Sequence, residues 1–214
     1  MIKTFSLVVL LITLFNFGSF AEEIQAFNFT KEEFDNLTVR KIKKNTKYTL
    51  GFNENGNFLK AEAEGQASGL GKEILIDLNK TPFLNITWKV EKDLSGIDEK
   101  SKKGHDYAAR VFVIKKTGST ALSNRAINYV FSSNEEIGQY WRSPFTKKSI
   151  DYVLATTKTN NNEWVTVKTN VKKDFKKLHD LDVNELNGVA IMTDTDNSKM
   201  KSIAYYQNIY FSSE

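Results

Sequence analysis

Between Gly104 and Lys115 the chain reads GHDYAARVFVIK, a polar entry joined to an apolar run with a single arginine inside it. From Ala108 onward the apolar residues fall on both alternating sets, Ala109, Val111 and Val113 against Phe112 and Ile114. That is the pattern of a strand covered on both faces. A guanidinium within such a run cannot be left without a partner, because an unpaired buried charge is strongly disfavoured. Arg110 is therefore expected to meet a carboxylate or a ligand near the start of the strand, with Asp106 the nearest candidate in sequence.

The remaining segments read as strands separated by turn signals. Tyr48 to Phe52 leads through NENGN into Phe58 to Glu64, where Leu59, Ala61 and Ala63 alternate on one face of a hairpin. Ile74, Ile76 and Leu78 follow two glycines, and Ile86, Trp88 and Val90 place an indole on a core face. Further strands are expected at Asn128 to Ser132, Ile150 to Thr156, Trp164 to Val171, Gly188 to Asp194 and Ile203 to Phe211. Two helical stretches stand apart. Phe29 to Leu37 has Thr30 as N-cap with Glu33 three residues on, and VKKDFKKLHDLDVNEL from Val171 puts Phe175, Leu178 and Leu181 on one side. About ten strands, two short helices and no internal repeat predict an all-β fold. The expected form is a two-sheet antiparallel β-sandwich of jelly-roll topology.

The first 21 residues hold Lys3, an apolar run from Leu7 to Ile12 and the ending Ser19, Phe20, Ala21. This is read as a signal peptide cleaved after Ala21, leaving a single domain over 22–214. The apolar core is shorter than a bilayer span requires, so no membrane insertion is expected after cleavage. Export to a bacterial periplasm or exterior fits the absence of cysteine, since a eukaryotic secreted domain of this size would often carry disulfides. The formal charge of +4 becomes +3 once Lys3 is removed, and the basic residues are dispersed. Nucleic acid is not an expected partner.

Several chemistries lack their residues. Gly65, Gly69, Gly71 and Lys72 are one residue too widely spaced for a phosphate loop and are followed by Glu73. No serine sits in a GxSxG elbow. His105 and His179, the two histidines, have no zinc-ligand spacing.

The candidates that remain are polar groups at strand ends and aromatic rings. Asp194, Asp196 and Asn197 follow a buried strand, and three readings of that loop are open: a capped turn, a pairing of Asp194 or Asp196 with Arg110, or a calcium site on Asp194 and Asp196. Asp106 with Asp194 could also form a carboxyl pair for glycoside hydrolysis. Tyr140, Trp141, Trp164, Tyr205 and Tyr206 could stack on sugars, with Tyr205 and Tyr206 pointing to opposite faces of the last strand.

The segments SGLGKEILIDLNKTPFLNITWKVE, GHDYAARVFV, INYVF, WVTVKTNVKKDF and IMTDTDNSKMKSIAYYQNIYFS, together spanning Ser68 to Ser212, resemble a bacterial family of exported proteins catalogued as domain of unknown function 3047. His105 departs from the small or acidic residue more usual there. The resemblance implies a β-sandwich similar to galactose-binding-like and carbohydrate-binding modules, and transfers no activity. The resulting expectation is a non-catalytic protein that binds a carbohydrate or envelope glycan. Its site would include Asp106, Arg110, Trp141, Trp164, Asp194, Asp196, Asn197 and Tyr206, with calcium as the one possible cofactor. The alternatives are a polysaccharide hydrolase using paired carboxylates and a structural envelope protein.

Overall fold

The computed structural model describes residues 21–120 and 123–214, so the leader expected over 1–21 lies outside the described residues except for Ala21. Thirteen strands and two α-helices are present among them. One sheet, sheet A, runs β11 (Val165–Asn170), β6 (Phe83–Lys92), β13 (Lys201–Ser212), β4 (Gly56–Glu64), β3 (Lys47–Asn53), with β1 (Glu23–Phe27) also paired to β13. Sheet B runs β2 (Thr38–Lys44), β5 (Ala67–Asp77), β12 (Glu185–Asp194), β7 (Ala109–Lys115), β8 (Arg125–Ser132), β10 (Ser149–Thr156), β9 (Tyr140–Arg142).

The long-range pairs are nested and alternate between sheets: β4 with β13 in A, β5 with β12 in B, β6 with β11 in A. A hairpin folded over on itself in this way is a jelly roll, as expected. The central strands each send one alternating set inward. Leu59 and Ala61 of β4, Ile86 and Trp88 of β6, Val111 and Val113 of β7, and Val189 and Ile191 of β12 join one core between the sheets. Trp88 is fully buried there, as its position in the alternation predicts.

Two features depart from the expected pattern. β8 and β10 are parallel, not antiparallel. The sixteen residues 133–148 between them give the chain room to cross back to the starting end, and β9 then forms an antiparallel edge on β10. The second helix is shorter than its apolar periodicity suggests: α2 covers Val171–His179 and stops at Asp180, whose backbone is left-handed. The first helix, α1 (Lys31–Asn36), starts as expected. Thr30 Oγ1 accepts from the Glu33 amide, and the Glu33 carboxylate reaches back to the amides of Asn28 and Phe29. No helix among the described residues is long and apolar enough to cross a membrane.

Candidate functional site

Strand alternation decides which side chains leave the core. In β7, Ala109, Val111 and Val113 face inward, so Arg110 emerges on the outer face of sheet B; in β12 the register pairs Arg110 with Met192 and places Asp194 two residues further on the same face. The guanidinium of Arg110 donates to Asp194 Oδ2, and both side chains are almost fully buried. Its charge also lies over the rings of Tyr107, at 5.0 Å, and Phe112, at 5.5 Å. The expected partner Asp106 does other work. Its carboxylate accepts the backbone amides of Asn197 and Ser198, at 3.2 and 2.6 Å, and the Asn197 side-chain amide at 2.9 Å. The loop after β12 is thus a turn capped from outside by Asp106, next to an ion pair of Asp194 with Arg110.

A covering is what buries these groups. The segment 93–108, between β6 and β7, lies against the outer face of sheet B and is held by polar anchors. Glu99 accepts from Ser132 Oγ at 2.6 Å, the Ser133 amide at 2.8 Å and Asn134 Nδ2 at 3.0 Å. His105 Nε2 meets Asp151 Oδ2 at 2.8 Å, and the other oxygen of Asp151 accepts from Asn128. Gly104 is required at the tip, because a Cβ there would come within 2.4 Å of the Asp98 carbonyl oxygen. Beneath the segment, Tyr107, Val130 and Val153 form a second, smaller core with Trp141 packed at its margin. Burial raises the Glu99 carboxyl above its ordinary range, against the pull of its three donors. Burial likewise pushes Asp194 up to about 8, opposed by Arg110 and reinforced by Asp106.

Asp106, Asp194 and Asp196 have carboxylate oxygens within 4.8 Å of one another, which is the feature a metal ion would use. The donor set does not fit calcium, which takes six to eight oxygen ligands. The oxygens of Asp106 and Asp194 already accept from amides and a guanidinium, and Arg110 supplies the cluster's positive charge. Nor do Asp106 and Asp194, at most 1% exposed, face a cleft in which a glycosidic bond could sit.

The structure brings Asp106, Arg110, Asp194, Asp196 and Asn197 together and separates them from the tryptophans. Tyr206, expected near a ligand, is fully enclosed in the core. Its hydroxyl donates to the Met192 carbonyl at 2.6 Å and accepts the Arg110 amide at 3.2 Å, so it ties the two sheets together below the ion pair. Trp141 covers the small core on sheet B. Trp164 belongs to a different surface.

That surface is the outer face of sheet A. Tyr205, the neighbour of Tyr206, points outward between Lys60 of β4 and Lys89 of β6. Its ring makes edge-to-face contacts with Phe58 at 5.7 Å and Trp164 at 6.0 Å, and Phe58 and Trp164 meet at 6.2 Å. Lys89 Nζ stands 4.4 Å from the Tyr205 ring centre and 5.8 Å from that of Trp164. The Tyr205 hydroxyl donates to Glu91 at 2.5 Å, and Thr87 and Thr166 share a hydrogen bond of 2.9 Å on the same face. Phe58 lies flat across β3, where a Cβ on Gly51 would fall 2.2 Å from the ring. Phe58 and Lys89 escaped the sequence reading. Their signal was present, since each is out of phase with core residues of its own strand, Leu59 and Trp88.

Comparison with solved structures gives likeness to β-sandwich proteins of carbohydrate chemistry. The xyloglucanase domain of NopAA, a type three effector from Sinorhizobium fredii, aligns with a TM-score of 0.46 and 11% identity over 82% of this chain and 92% of that one. A family 30 carbohydrate-binding module aligns at 0.45 and 8%, over 90% and 88% of the two chains. A cellulase derived from Cel12A of Rhodothermus marinus aligns at 0.42 and 10%, over 91% and 97%. No curated protein matches the chain. The family model described as "Protein of unknown function (DUF3047)" matches residues 32–210, the greater part of the molecule, and the chain belongs to that family.

Proposed function

We propose that the protein binds a glycan on the outer face of sheet A, with Trp164, Tyr205 and Phe58 as the stacking surface. The observation that carries this reading is the cluster of three rings on this face, beside Lys60, Lys89, Glu91, Thr87 and Thr166. Sugar rings present C–H groups on one face and hydroxyls at the rim. An aromatic surface takes the first, and the amines of Lys60 and Lys89 and the carboxylate of Glu91 take the second. Lys89 lies over Tyr205 and must swing aside for a sugar to stack there, which places its ammonium at the rim of the bound ring. The leader expected over residues 1–21 would deliver the protein to where envelope glycans lie.

Binding to a glycan array, followed by calorimetry with the glycans retained, tests the reading. Trp164→Ala is expected to weaken binding at least about tenfold, equivalent to about 1.4 kcal/mol. Its melting temperature should fall only modestly, since the indole is 36% exposed and makes edge contacts with Phe58 and Tyr205. Retention of no glycan, or an affinity indifferent to Trp164 and Tyr205, overturns the assignment.

A further inference from the structure

The edge strand β2, TVRKIKK, carries an arrangement that neither the core nor the aromatic face explains. It ends sheet B, pairs with β5 alone, and all seven of its residues are exposed. Arg40, Lys41, Lys43 and Lys44 form no ion pair among the described residues. The β5 residues opposite the strand are Gly71, Leu70, Gly69, Ser68 and Ala67, so its partner strand offers no countercharge. A fifth cation joins them from the loop after β12. Lys199, held with φ of 64° by a bond from its amide to the Thr195 carbonyl, donates from its ammonium to the Asp196 carbonyl. Lys43 lowers the Lys199 pKa, opposed by Asp196 and Asp106.

Lysines on an edge strand discourage other strands from adding, and that alone would account for the charge. It does not account for Val39 and Ile42, which are interspersed among the cations and are 55% and 58% exposed. A polyanion such as nucleic acid or an acidic polysaccharide has no use for exposed aliphatic side chains at this position. An anionic lipid surface uses both, drawing the cations to its phosphates and accepting the aliphatic groups at the headgroup boundary.

We propose that β2, together with Lys199, is a docking strip for an anionic phospholipid surface, which the protein touches peripherally. At about 3.3 Å per residue the seven-residue strand can lay its length across several headgroups. The strip lies on the edge of sheet B, away from the rings of sheet A, so it stands or falls separately from glycan binding.

Sedimentation of the purified protein with vesicles tests it. The protein is expected to pellet with vesicles containing phosphatidylglycerol and not with phosphatidylcholine alone, and raised salt should release it. Arg40→Glu with Lys43→Glu should reduce vesicle binding at least about tenfold, since each basic residue near such a surface contributes a several-fold factor. Val39→Ser with Ile42→Ser, which keeps every charge, should also weaken it several-fold. Lys41→Gln with Lys43→Gln serves as a milder pair should the charge reversal alter the melting curve. Failure to bind anionic vesicles overturns the proposal. So does full binding by the serine pair, or equal affinity for heparin or duplex DNA, since either would make the strip a general polyanion site.

Discussion

The two outer faces of the sandwich solve the same problem in opposite ways. Each sheet must present one alternating set of side chains away from the core. On sheet B that set includes Arg110, Asn128, Asp151 and Asp194, and the segment 93–108 covers them, so that polar groups pair with one another out of reach of water. On sheet A the set includes Phe58, Lys60, Lys89 and Tyr205, and no segment among the described residues is seen to cover it. Polar groups are therefore paired under a covering on sheet B, while the rings of sheet A stay partly exposed at the surface. The face richer in charged motifs in the sequence is the structural one.

The contrast predicts unequal responses to substitution, largest on the covered face. Arg110→Met strands Asp194 beside Asp106 in a buried site and, above about pH 8 where Asp194 is ionised, should cost about 3–5 kcal/mol, the range for removing one member of a buried pair. A denaturant titration measures it. Replacing Asp194 by Leu as well should cost less than the single change, because no uncompensated group is left. Since Arg110 opposes the burial that pushes Asp194 up, its loss should also hold the proton on Asp194 to higher pH, and the penalty should grow in alkali. Equal costs for the single and double variants would break the description of the pair as a unit.

Asp151→Ala comes next. It leaves the His105 ring nitrogen and the Asn128 amide without their partner, at about 1–3 kcal/mol for buried groups left unsatisfied. Hydrogen exchange should locate the damage. Amides of 93–108 and of the turn at Asn197 and Ser198 should exchange faster, while those of β13 keep their protection.

The covered face also sets the pH response. Asp194, raised to about 8, binds a proton more tightly in the folded chain than in the unfolded one, where a carboxyl titrates near its ordinary value. Its contribution is complete below the unfolded pKa of about 3.9 and is lost as the pH rises through the folded value of about 8. Glu99 and Asp174, both raised by burial, act in the same direction. His179, lowered by burial, opposes them, since its contribution is lost as the pH falls below its ordinary range. The raised Asp194 predicts that stability declines between about pH 5 and pH 8. Asp194→Asn should flatten the decline, and an unchanged slope would place the titrating group elsewhere.

Much of the fold was legible because strand alternation is a local signal. The ten expected strands all occur, and the three unforeseen ones show where the signal fails. β2 has a strand's backbone with a solvated, cationic sequence; β9 is three residues long; β1 is a short strand completing the side of β13 that β4 leaves open. β13 changes partner there through a register shift at Asn208, whose φ is 47°. None of these strands carries a core-facing run long enough to announce itself. The cluster around Arg110 was legible in part. A guanidinium in an apolar strand demands a carboxylate, and both Asp106 and Asp194 were within its compass. Which one it takes depends on β12 lying beside β7, a pairing 84 residues apart in sequence. The aromatic face was least legible, since Phe58, Trp164 and Tyr205 come from three segments and only sheet order gathers them.

The smallest expected effect sharpens the comparison from the exposed side. Gly51→Ala places a methyl group within 2.2 Å of the Phe58 ring, a contact that cannot persist. On the covered face the analogous intrusion at Gly104 would strike the Asp98 backbone, which cannot step aside. Phe58 can, because it is a side chain on an open face and rotates about its own bonds. The gain from replacing a strand glycine, about 0.5–1 kcal/mol, then offsets most of the lost ring contact. Stability should change by less than about 1 kcal/mol, read from the denaturant midpoint. Phe58 would nonetheless leave Tyr205 and Trp164, so the exposed indole should change its fluorescence, and any glycan held by all three rings should bind more weakly. A large loss of stability would mean that the three rings act as a core in their own right, and the outer face of sheet A would then be as structural as that of sheet B.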